Sequence, residues 1–277
     1  MGSDLINTLF SLKDKAAIVT GAGGFFGLAF SECLLSSGAK VVMLGRGKKI
    51  KRSADEFKSR FGEKVDYGVV DFYDENAYKK CLDKIMDDHV IDILVNNAFD
   101  FSKDTGFNDP SGKLENISKK QWEKSLESGV YWHALAIQIV GEKMKMKKKG
   151  SIINVSSMYG IVSPDPSVYE GVEVFNPPSY GAAKAGLLAL TRYVASFYGR
   201  YNIRCNALVP GAFPNVGREP YGGPTDDKFL RELAEKTVLG RVGKLNDLLG
   251  ALIFLSSDSS SYMTGQNVVI DGGWTVR

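Results

Sequence analysis

The sequence contains few of the residues that build metal sites and disulfide frameworks. Histidine occurs only at His89 and His133, and cysteine only at Cys33, Cys81 and Cys205, far apart along the chain. An odd number of widely spaced cysteines indicates a reducing compartment, so we expect a cytoplasmic protein without disulfides. No cysteines and histidines have the spacing of zinc ligands, so we also expect no metal site.

Long apolar runs and a strong excess of one charge are absent as well. No run is long enough to cross a membrane, and residues 1–12 lack the basic start and apolar centre of a secretory signal. The 35 lysines and arginines are interspersed with 32 acidic residues, which argues against nucleic acid as a partner. No linker rich in proline and serine divides the 277 residues, so we expect a single domain over residues 1–277.

Short apolar runs alternate with stretches of helical periodicity along the whole chain. This alternation predicts right-handed crossovers and a parallel sheet covered by helices on both faces. A long helix is predicted over residues 121–145 and another from Tyr180 to about Tyr198. The predicted strands are residues 15–20, 40–44, 65–71, 91–96, 151–156, 203–209 and 266–270.

Glycines at Gly21, Gly24 and Gly27 follow the first predicted strand and precede a helix. In that context the backbone N–H groups and the helix N-terminus can reach a pyrophosphate, as in dinucleotide sites. Phe26 stands where the usual G-x-G-x-x-G pattern has its last glycine, so a tight strand-to-helix turn without a ligand is the alternative.

The end of the second strand carries Gly45 and Arg46 where an NAD site usually places an acid. Arg46, followed by four more basic residues, can pair with a 2′-phosphate, which favours NADP over NAD. The alternative is a solvated basic loop. Asp71, at the end of the third strand, is placed to bond an adenine amino group.

Tyr180 and Lys184 lie four residues apart, so a helix would place both side chains on one face. A neighbouring ammonium favours phenolate, and we therefore expect Lys184 to lower the pKa of Tyr180 and make it a general acid/base. Ser157 follows the fifth strand at the edge where parallel sheets bind ligands. A solvated helix face is the alternative interpretation of the Tyr180–Lys184 spacing.

Four motifs in one order resemble the short-chain dehydrogenase/reductase family, in its shorter single-domain branch, along nearly the whole chain. They are Thr20–Gly27, Asn96–Ala98, Ser157 with Tyr180 and Lys184, and Ile203–Gly211. The resemblance implies a Rossmann-type doubly wound sheet of seven parallel strands in the order 3-2-1-4-5-6-7. It also implies hydride transfer between NADP, or NAD, and a carbonyl or alcohol carbon.

The resemblance assigns roles to individual residues. Tyr180 would protonate the nascent alkoxide, Ser157 would hydrogen-bond the carbonyl oxygen, and Lys184 would hold the ribose hydroxyls. The expected cofactor contacts are Gly21, Gly24, Phe26, Gly27, Arg46, Asp71, Phe72, Asn97, Ala98, Tyr180, Lys184, Pro210, Gly211 and Phe213.

Some positions depart from the family pattern. Gly129 stands where the family usually has an asparagine that completes a proton relay, and Phe25 and Phe99 replace glycines beside the cofactor trough. Tyr180 follows Ser157 by about ten residues more than usual. Tyr169 lies at the usual distance, but Glu173 and not lysine stands four residues later.

The extra residues form an inserted loop over 161–179 that is rich in proline. Its Asp165, Glu170, Glu173 and Asn176 could accept from several hydroxyls, which suits a sugar or polyol. The stretch resembles family members linked to bacterial nonulosonic acid and flagellin-sugar pathways. The alternative is a surface loop that packs on a neighbouring subunit. A second segment, about residues 212–236, is predicted to be a flap over the substrate, with Arg218 or Arg231 able to meet a phosphate.

The leading hypothesis is therefore an NADP-dependent oxidoreductase acting on a sugar, sugar derivative or polyol. A 3-oxoacyl thioester reductase is the alternative within the enzymes, and a dinucleotide-binding sensor or scaffold without turnover is the alternative outside them. The family resemblance implies a homotetramer or homodimer, for which Tyr131, Trp132 and Trp274 are candidate contact residues.

Overall fold

The computed structural model describes residues 2–171, 175–215 and 227–276, with the side chains of 2–4 and 227 left aside. Glu173 and Arg218 lie outside the described residues, as does the middle of the predicted flap. The expectations placed on these residues stay predictions.

Seven strands form one sheet in the order β3-β2-β1-β4-β5-β6-β7, and all neighbours are parallel. The predicted topology is confirmed. Strand bounds agree with the sequence within about two residues, because strands buried on both faces read as continuous apolar runs. The strands are β1 (Ala16–Thr20), β2 (Lys40–Gly45), β3 (Val65–Val69), β4 (Ile93–Asn96), β5 (Gly150–Val155), β6 (Ile203–Pro210) and β7 (Asn267–Ile270).

Helices cover both faces of this sheet and bury two apolar cores. One core receives side chains from α4, α6 and α7, and the other from α2, α3 and α9. The described helices are α1 (Gly2–Phe10), α2 (Phe25–Ser36), α3 (Gly47–Phe61), α4 (Glu75–Asp88), α5 (Lys119–Leu126), α6 (Trp132–Lys147), α7 (Pro178–Tyr198), α8 (Asp227–Glu235) and α9 (Leu245–Ser256).

Helix α3 corrects the alternative interpretation of the basic stretch after Arg46 as a loop. Ile50, Ala54 and Phe57 are buried at helical spacing, while the basic residues between them face outward or lie at the rim. A hydrophobic stripe of this kind is the usual signal of an amphipathic helix. The sequence analysis missed this apolar stripe because basic residues lie between its members.

The helix predicted over residues 121–145 is longer and interrupted. Helix α5 begins at Lys119 after a capping box in which Ser118 and Gln121 bond each other's backbone N–H groups. A π-helical turn over Glu127–Tyr131 then separates α5 from α6. Such turns insert one extra residue per turn and occur often at functional sites. Gly129 lies in the middle of this one.

Two of the three aromatic residues proposed for subunit contacts are buried within the chain. Trp132 is 2% exposed and packs on Phe72 and Tyr73, while Trp274 is 8% exposed and lies edge-on to Tyr159. Neither can serve a subunit face as proposed. Tyr131 is 40% exposed, with its hydroxyl bonded to Glu75.

In the part of the chain that the structure describes, no helix combines the length and apolar character needed to cross a membrane. The same residues include no group of three or more potential metal ligands. Cys33, Cys81 and Cys205 are unpaired.

Candidate active site

The candidate site lies along the edge of the sheet where the parallel strands end. In a doubly wound sheet, ligands bind at this edge, beside the point where the strand order reverses. Here that point lies between β1 and β4, which are neighbours in the sheet. The glycine turn after β1 and the segment Asn96–Phe99 at the end of β4 therefore face each other.

The glycine turn leaves room that any side chain would fill. Gly21 has φ +64°, and a Cβ there would lie 2.9 Å from the Ala98 Cα. A Cβ on Gly27 would overlap the Gly21 carbonyl oxygen. Helix α2 begins directly after Gly24, so its first N–H groups have no partner within the helix. This cradle fits a diphosphate approaching the backbone.

Asn97 and Thr20 hold the two sides of the site together. The Asn97 side-chain amide donates to the carbonyl oxygens of Thr20 and Gly21, at 3.0 and 3.3 Å. The Thr20 hydroxyl oxygen accepts from the backbone N–H groups of Asn97 and Ala98, at 3.0 and 3.1 Å. Asn97 thus acts first as a support for the turn.

Arg46 stands at the end of β2, as expected, and its side chain is about half exposed. One guanidinium nitrogen lies 3.3 Å from an Asp100 carboxylate oxygen. Asp100 is buried and also accepts from the Tyr73 hydroxyl at 2.8 Å. Sequence reasoning missed Asp100, although it follows β4 by only a few residues. Asp71 is exposed and accepts from the Tyr73 N–H at 3.1 Å.

Three further residues expected to contact the cofactor lie in different places in the fold. Phe72 is 4% exposed and its ring packs in the core against Tyr78 and Trp132, so the ring has little surface left for a ligand. Gly211 follows β6 and Pro210, and its N–H donates to Ile270 O at 2.9 Å. Phe213 lies edge-on to Phe26, with 5.9 Å between ring centroids.

Ser157, Tyr180 and Lys184 come together beyond β5. Tyr180 lies in the first turn of α7, and its hydroxyl lies near enough to the Ser157 side chain for Ser157 to lower its pKa. Lys184 lies one turn later, and its ammonium donates to Val155 O at 2.9 Å. The Ser156 hydroxyl donates to Lys184 O at 2.9 Å, which fixes α7 against the end of β5. All three side chains are buried, so the solvated-face alternative is wrong.

The pKa of Tyr180 moves in the direction opposite to our expectation. Burial raises it to about 12, and the neighbouring Ser157 side chain opposes that rise. Burial likewise lowers the pKa of Lys184 to about 7. Removal from water destabilises both charged forms, phenolate and ammonium, and it is the largest cause of both shifts.

An aromatic wall, Phe99, Phe101 and Phe107, surrounds the Tyr180 ring. The three ring centroids lie 5.1, 6.2 and 5.4 Å from that of Tyr180, respectively. Phe101 and Phe107 were not expected at the site, because they belong to the irregular segment between β4 and α5. Their spacing carries no periodic signal, and only the fold brings them to Tyr180.

Gly129 and His133 lie behind this wall. The two nitrogens of His133 contact Gly129 O at 3.0 Å and Ala98 O at 2.8 Å. Burial and then the charge of Lys184 lower the pKa of His133 to about 3. His133 is therefore neutral at neutral pH and links the π-helical turn to the end of β4. Sequence reasoning did not place it in the site.

Polar residues of the inserted loop bond one another and neighbouring parts of the chain. Asp165 accepts from Ser167 and pairs with Lys236 at 2.6 Å, while the Asn176 amide donates to the Tyr169 hydroxyl at 2.6 Å. Tyr169 also bonds Tyr159, with 2.7 Å between their oxygens. Asp165 and Asn176 thus bond other protein groups, and the expectation that they accept from substrate hydroxyls stays a prediction. Glu170 is exposed.

The sheet, the glycine cradle and the buried Ser157–Tyr180–Lys184 group define a dinucleotide-type α/β oxidoreductase site. A family profile described as Enoyl-(Acyl carrier protein) reductase matches residues 21–275. Gluconate 5-dehydrogenase of Gluconobacter oxydans is 32% identical over 269 residues, covering 97% of both chains. The 3-oxoacyl-[acyl-carrier-protein] reductase FabG of Chlamydia pneumoniae is 30% identical, covering 96% of this chain and 98% of its own.

Among solved structures, a gluconate 5-dehydrogenase from Burkholderia cenocepacia in complex with NADP and tartrate superimposes with a TM-score of 0.82. It is 26% identical and covers 98% of this chain and 99% of its own. The chain belongs to the short-chain dehydrogenase/reductase family.

Proposed function

We propose that the protein is an NADP-dependent oxidoreductase that interconverts a carbonyl and a secondary alcohol on a sugar, sugar derivative or polyol. The observation that carries the proposal is the buried contact between Ser157 and Tyr180, with Lys184 one helical turn away. A protein that only binds a dinucleotide has no use for a buried serine and tyrosine side by side at this edge of the sheet.

The cofactor would be held by the chain's own backbone and by Arg46. The Gly21–Gly27 cradle and the first N–H groups of α2 would bind the diphosphate, and Asp71 would contact the adenine. Arg46 is half exposed and has donors left for a 2′-phosphate, and no carboxylate ends β2 to repel one. We therefore infer a preference for NADP over NAD. When bound, the nicotinamide supplies or accepts the hydride.

The proton work falls to the three buried side chains. In reduction, Tyr180 donates its phenolic proton to the developing alkoxide, while Ser157 donates a hydrogen bond to the same oxygen. The high pKa of Tyr180 suits an acid that stays protonated at neutral pH. Lys184 stabilises the phenolate that Tyr180 leaves behind, and it would also hold the ribose hydroxyls.

The sugar assignment rests on relatives and on the shape of the wall beside Tyr180. Gluconate 5-dehydrogenase relatives align over nearly the whole chain. The aromatic wall of Phe99, Phe101 and Phe107 offers faces on which the C–H groups of a sugar can pack. The narrower link with bacterial nonulosonic acid or flagellin-sugar pathways stays a prediction.

One observation favours a second function. The wall beside Tyr180 is largely apolar, and a 3-oxoacyl-[acyl-carrier-protein] reductase aligns over 96% of the chain. An acyl thioester would also pack against these rings.

The test is NADPH and NADH oxidation with 5-ketogluconate, other keto sugars and a 3-oxoacyl thioester, on one sample whose cofactor binding is measured separately. Turnover of a keto sugar with NADPH supports the proposal. Turnover of the thioester alone supports the alternative. Tight cofactor binding without turnover of either class would point to the sensor or scaffold.

Location and assembly extend this proposal. Three unpaired cysteines suit the cytoplasm. Tyr193 and Phe197 stack on the outer face of α7 and are 68% and 46% exposed, which favours a homodimer or homotetramer through that face.

We also infer that residues 1–277 work as one catalytic domain, since the sheet uses strands from both ends of the chain.

A further inference from the structure

Phe99 and Gly129 are two departures from the family pattern that meet in the structure. A Cβ built on Gly129 would lie 3.2 Å from one edge carbon of the Phe99 ring and 2.7 Å from the Ala183 Cβ. The distance to Phe99 is shorter than an ordinary van der Waals contact, and the distance to Ala183 is a steric clash. The Phe99 ring therefore occupies the side of the π-helical turn to which a longer residue at position 129 would extend.

The same ring faces the ammonium of Lys184. The Lys184 nitrogen lies 5.2 Å from the Phe99 ring centroid, within the range of a cation–π contact. Among the described residues, its other partners are Val155 O at 2.9 Å and the Tyr180 ring at 5.7 Å. No ion pair with Lys184 occurs among the described residues. A buried cation in such surroundings depends on each remaining favourable contact.

The titratable groups on the segments around Lys184 include Tyr180, His133 and Asp100. Tyr180 lies on its own helix, and His133 approaches from α6, bonded to Gly129 O and Ala98 O. Asp100 follows Phe99 in the chain, but its carboxylate is turned to Arg46, Tyr73 and Ser102. His133 thus fixes the backbone that carries Phe99, and no carboxylate neutralises Lys184 from that segment.

We propose that Phe99 is a positioning residue of the active site, whose ring fills the space beside Gly129 and stabilises the charged form of Lys184. In this protein an aromatic face takes the place of a polar side chain on the helix. The catalytic consequence rests on the proposed function, because it acts through Lys184 on the phenolate of Tyr180. The electrostatic part does not depend on which substrate is used.

The sharpest test weakens the π face without changing the shape of the ring. Phe99 is replaced by a ring-trifluorinated phenylalanine, and lysine side chains are labelled with ¹³C at Cε. The Lys184 signal is assigned by its loss in Lys184→Met and titrated in the cofactor-free protein. We expect the pKa of Lys184 to fall by about half a unit to one and a half units.

Phe101 provides the matched control. Its ring touches those of Phe99 and Tyr180, but among the described residues the aromatic rings that face the Lys184 ammonium are those of Phe99 and Tyr180. The same fluorinated residue at position 101 should leave the pKa of Lys184 unchanged. Equal shifts from both positions, or no shift from position 99, would overturn the proposal.

A second pair of variants adds the catalytic readout. Phe99→Leu removes the π face, whereas Phe99→Tyr keeps it. In carbonyl reduction, the alkaline limb of the kcat profile that reports deprotonation of Lys184 should move to lower pH in Phe99→Leu, and Phe99→Tyr should restore its position. A uniform loss of kcat at every pH, without a shifted limb, would show a merely structural ring. If no substrate is turned over, the titration still decides the electrostatic claim, so failure of the proposed function remains distinguishable.

Discussion

The ammonium of Lys236 lies 2.6 Å from a carboxylate oxygen of Asp165, joining the inserted loop to the end of α8. Asp165 also begins the short helical turn Pro166–Tyr169. The ring of Tyr169 in that turn lies 6.1 Å from the ring of Phe229 on α8. The inserted loop is therefore held against α8 and the residue that follows it by an ion pair and an aromatic contact.

Removing this link should affect substrate use more than folding. Both partners are about 40% exposed, and such pairs contribute at most about 1 kcal/mol to stability. We expect Lys236→Met to change the melting temperature by only about 2 °C or less, while raising KM for substrate several-fold. Lys228→Met is the matched control, because Lys228 pairs with Glu232 within α8. Equal KM values for the two variants would contradict the coupling.

Loss of the Tyr180 hydroxyl should abolish most of the proton transfer. We expect Tyr180→Phe to lower kcat by about 10²–10⁴-fold, with the dissociation constant for NADPH nearly unchanged. Tyr169→Phe serves as the comparison, since Tyr169 lies at the distance from Ser157 that is more usual in the family. It should keep kcat within about tenfold of the parent, because only the two neutral hydrogen bonds with Tyr159 and Asn176 are lost. Full turnover by Tyr180→Phe would refute the assignment.

Arg46 should decide between the two cofactors. Arg46→Ala removes a charge-assisted bond to the 2′-phosphate, so KM for NADPH should rise about tenfold or more, with KM for NADH almost constant. Arg60→Ala, at the far end of α3 and paired with Glu32, is the control. Initial rates with both cofactors provide the measurement. An equal rise in KM for NADPH and NADH would mean that Arg46 supports the fold of the site instead of reading the phosphate.

The buried ammonium of Lys184 should destabilise the protein in a pH-dependent way. The folded pKa of about 7 lies below the ordinary value of 10.5, so between these values the unfolded chain binds more protons. Stability from this group therefore rises with pH in that window and is lowest below about pH 7. We expect Lys184→Met to be more stable than the parent, by on the order of a few kcal/mol below pH 7.

This advantage of Lys184→Met should shrink as the pH approaches 10.5. Thermal unfolding of cofactor-free protein across the pH range measures it. Lys143→Met, which removes a half-exposed lysine from α6, should show no such trend. A constant difference between parent and Lys184→Met would mean that Lys184 titrates normally in the folded protein.

Local signals in the sequence were sufficient for the strands and the glycine turn, whereas the strand order was expected from the family resemblance. A strand buried on both faces needs a continuous apolar run, and the turn from Gly21 to Gly27 needs residues without a Cβ. The pair of Tyr180 and Lys184 was also predictable, since four residues make one helical turn. These features are set by neighbours in the chain and by the backbone's steric limits.

Electrostatics and long-range packing could not be obtained in that way. The sequence places an ammonium near a phenol, but the direction of the Tyr180 pKa depends on burial, which the whole fold sets. Trp132 was a candidate for a subunit face because a large aromatic residue gives the same sequence signal in a core as in an interface. Only the fold shows that it is buried within the chain.

The sequence by itself determined the class of fold and predicted the candidate reacting groups, because periodicity and spacing follow from bond geometry and because the motifs resemble one family. Only the tertiary structure decided what surrounds those groups. Phe99 meets Gly129, and Asp165 meets Lys236, across long separations in the chain. Such contacts arise from how the layers pack on one another, and no local pattern encodes them.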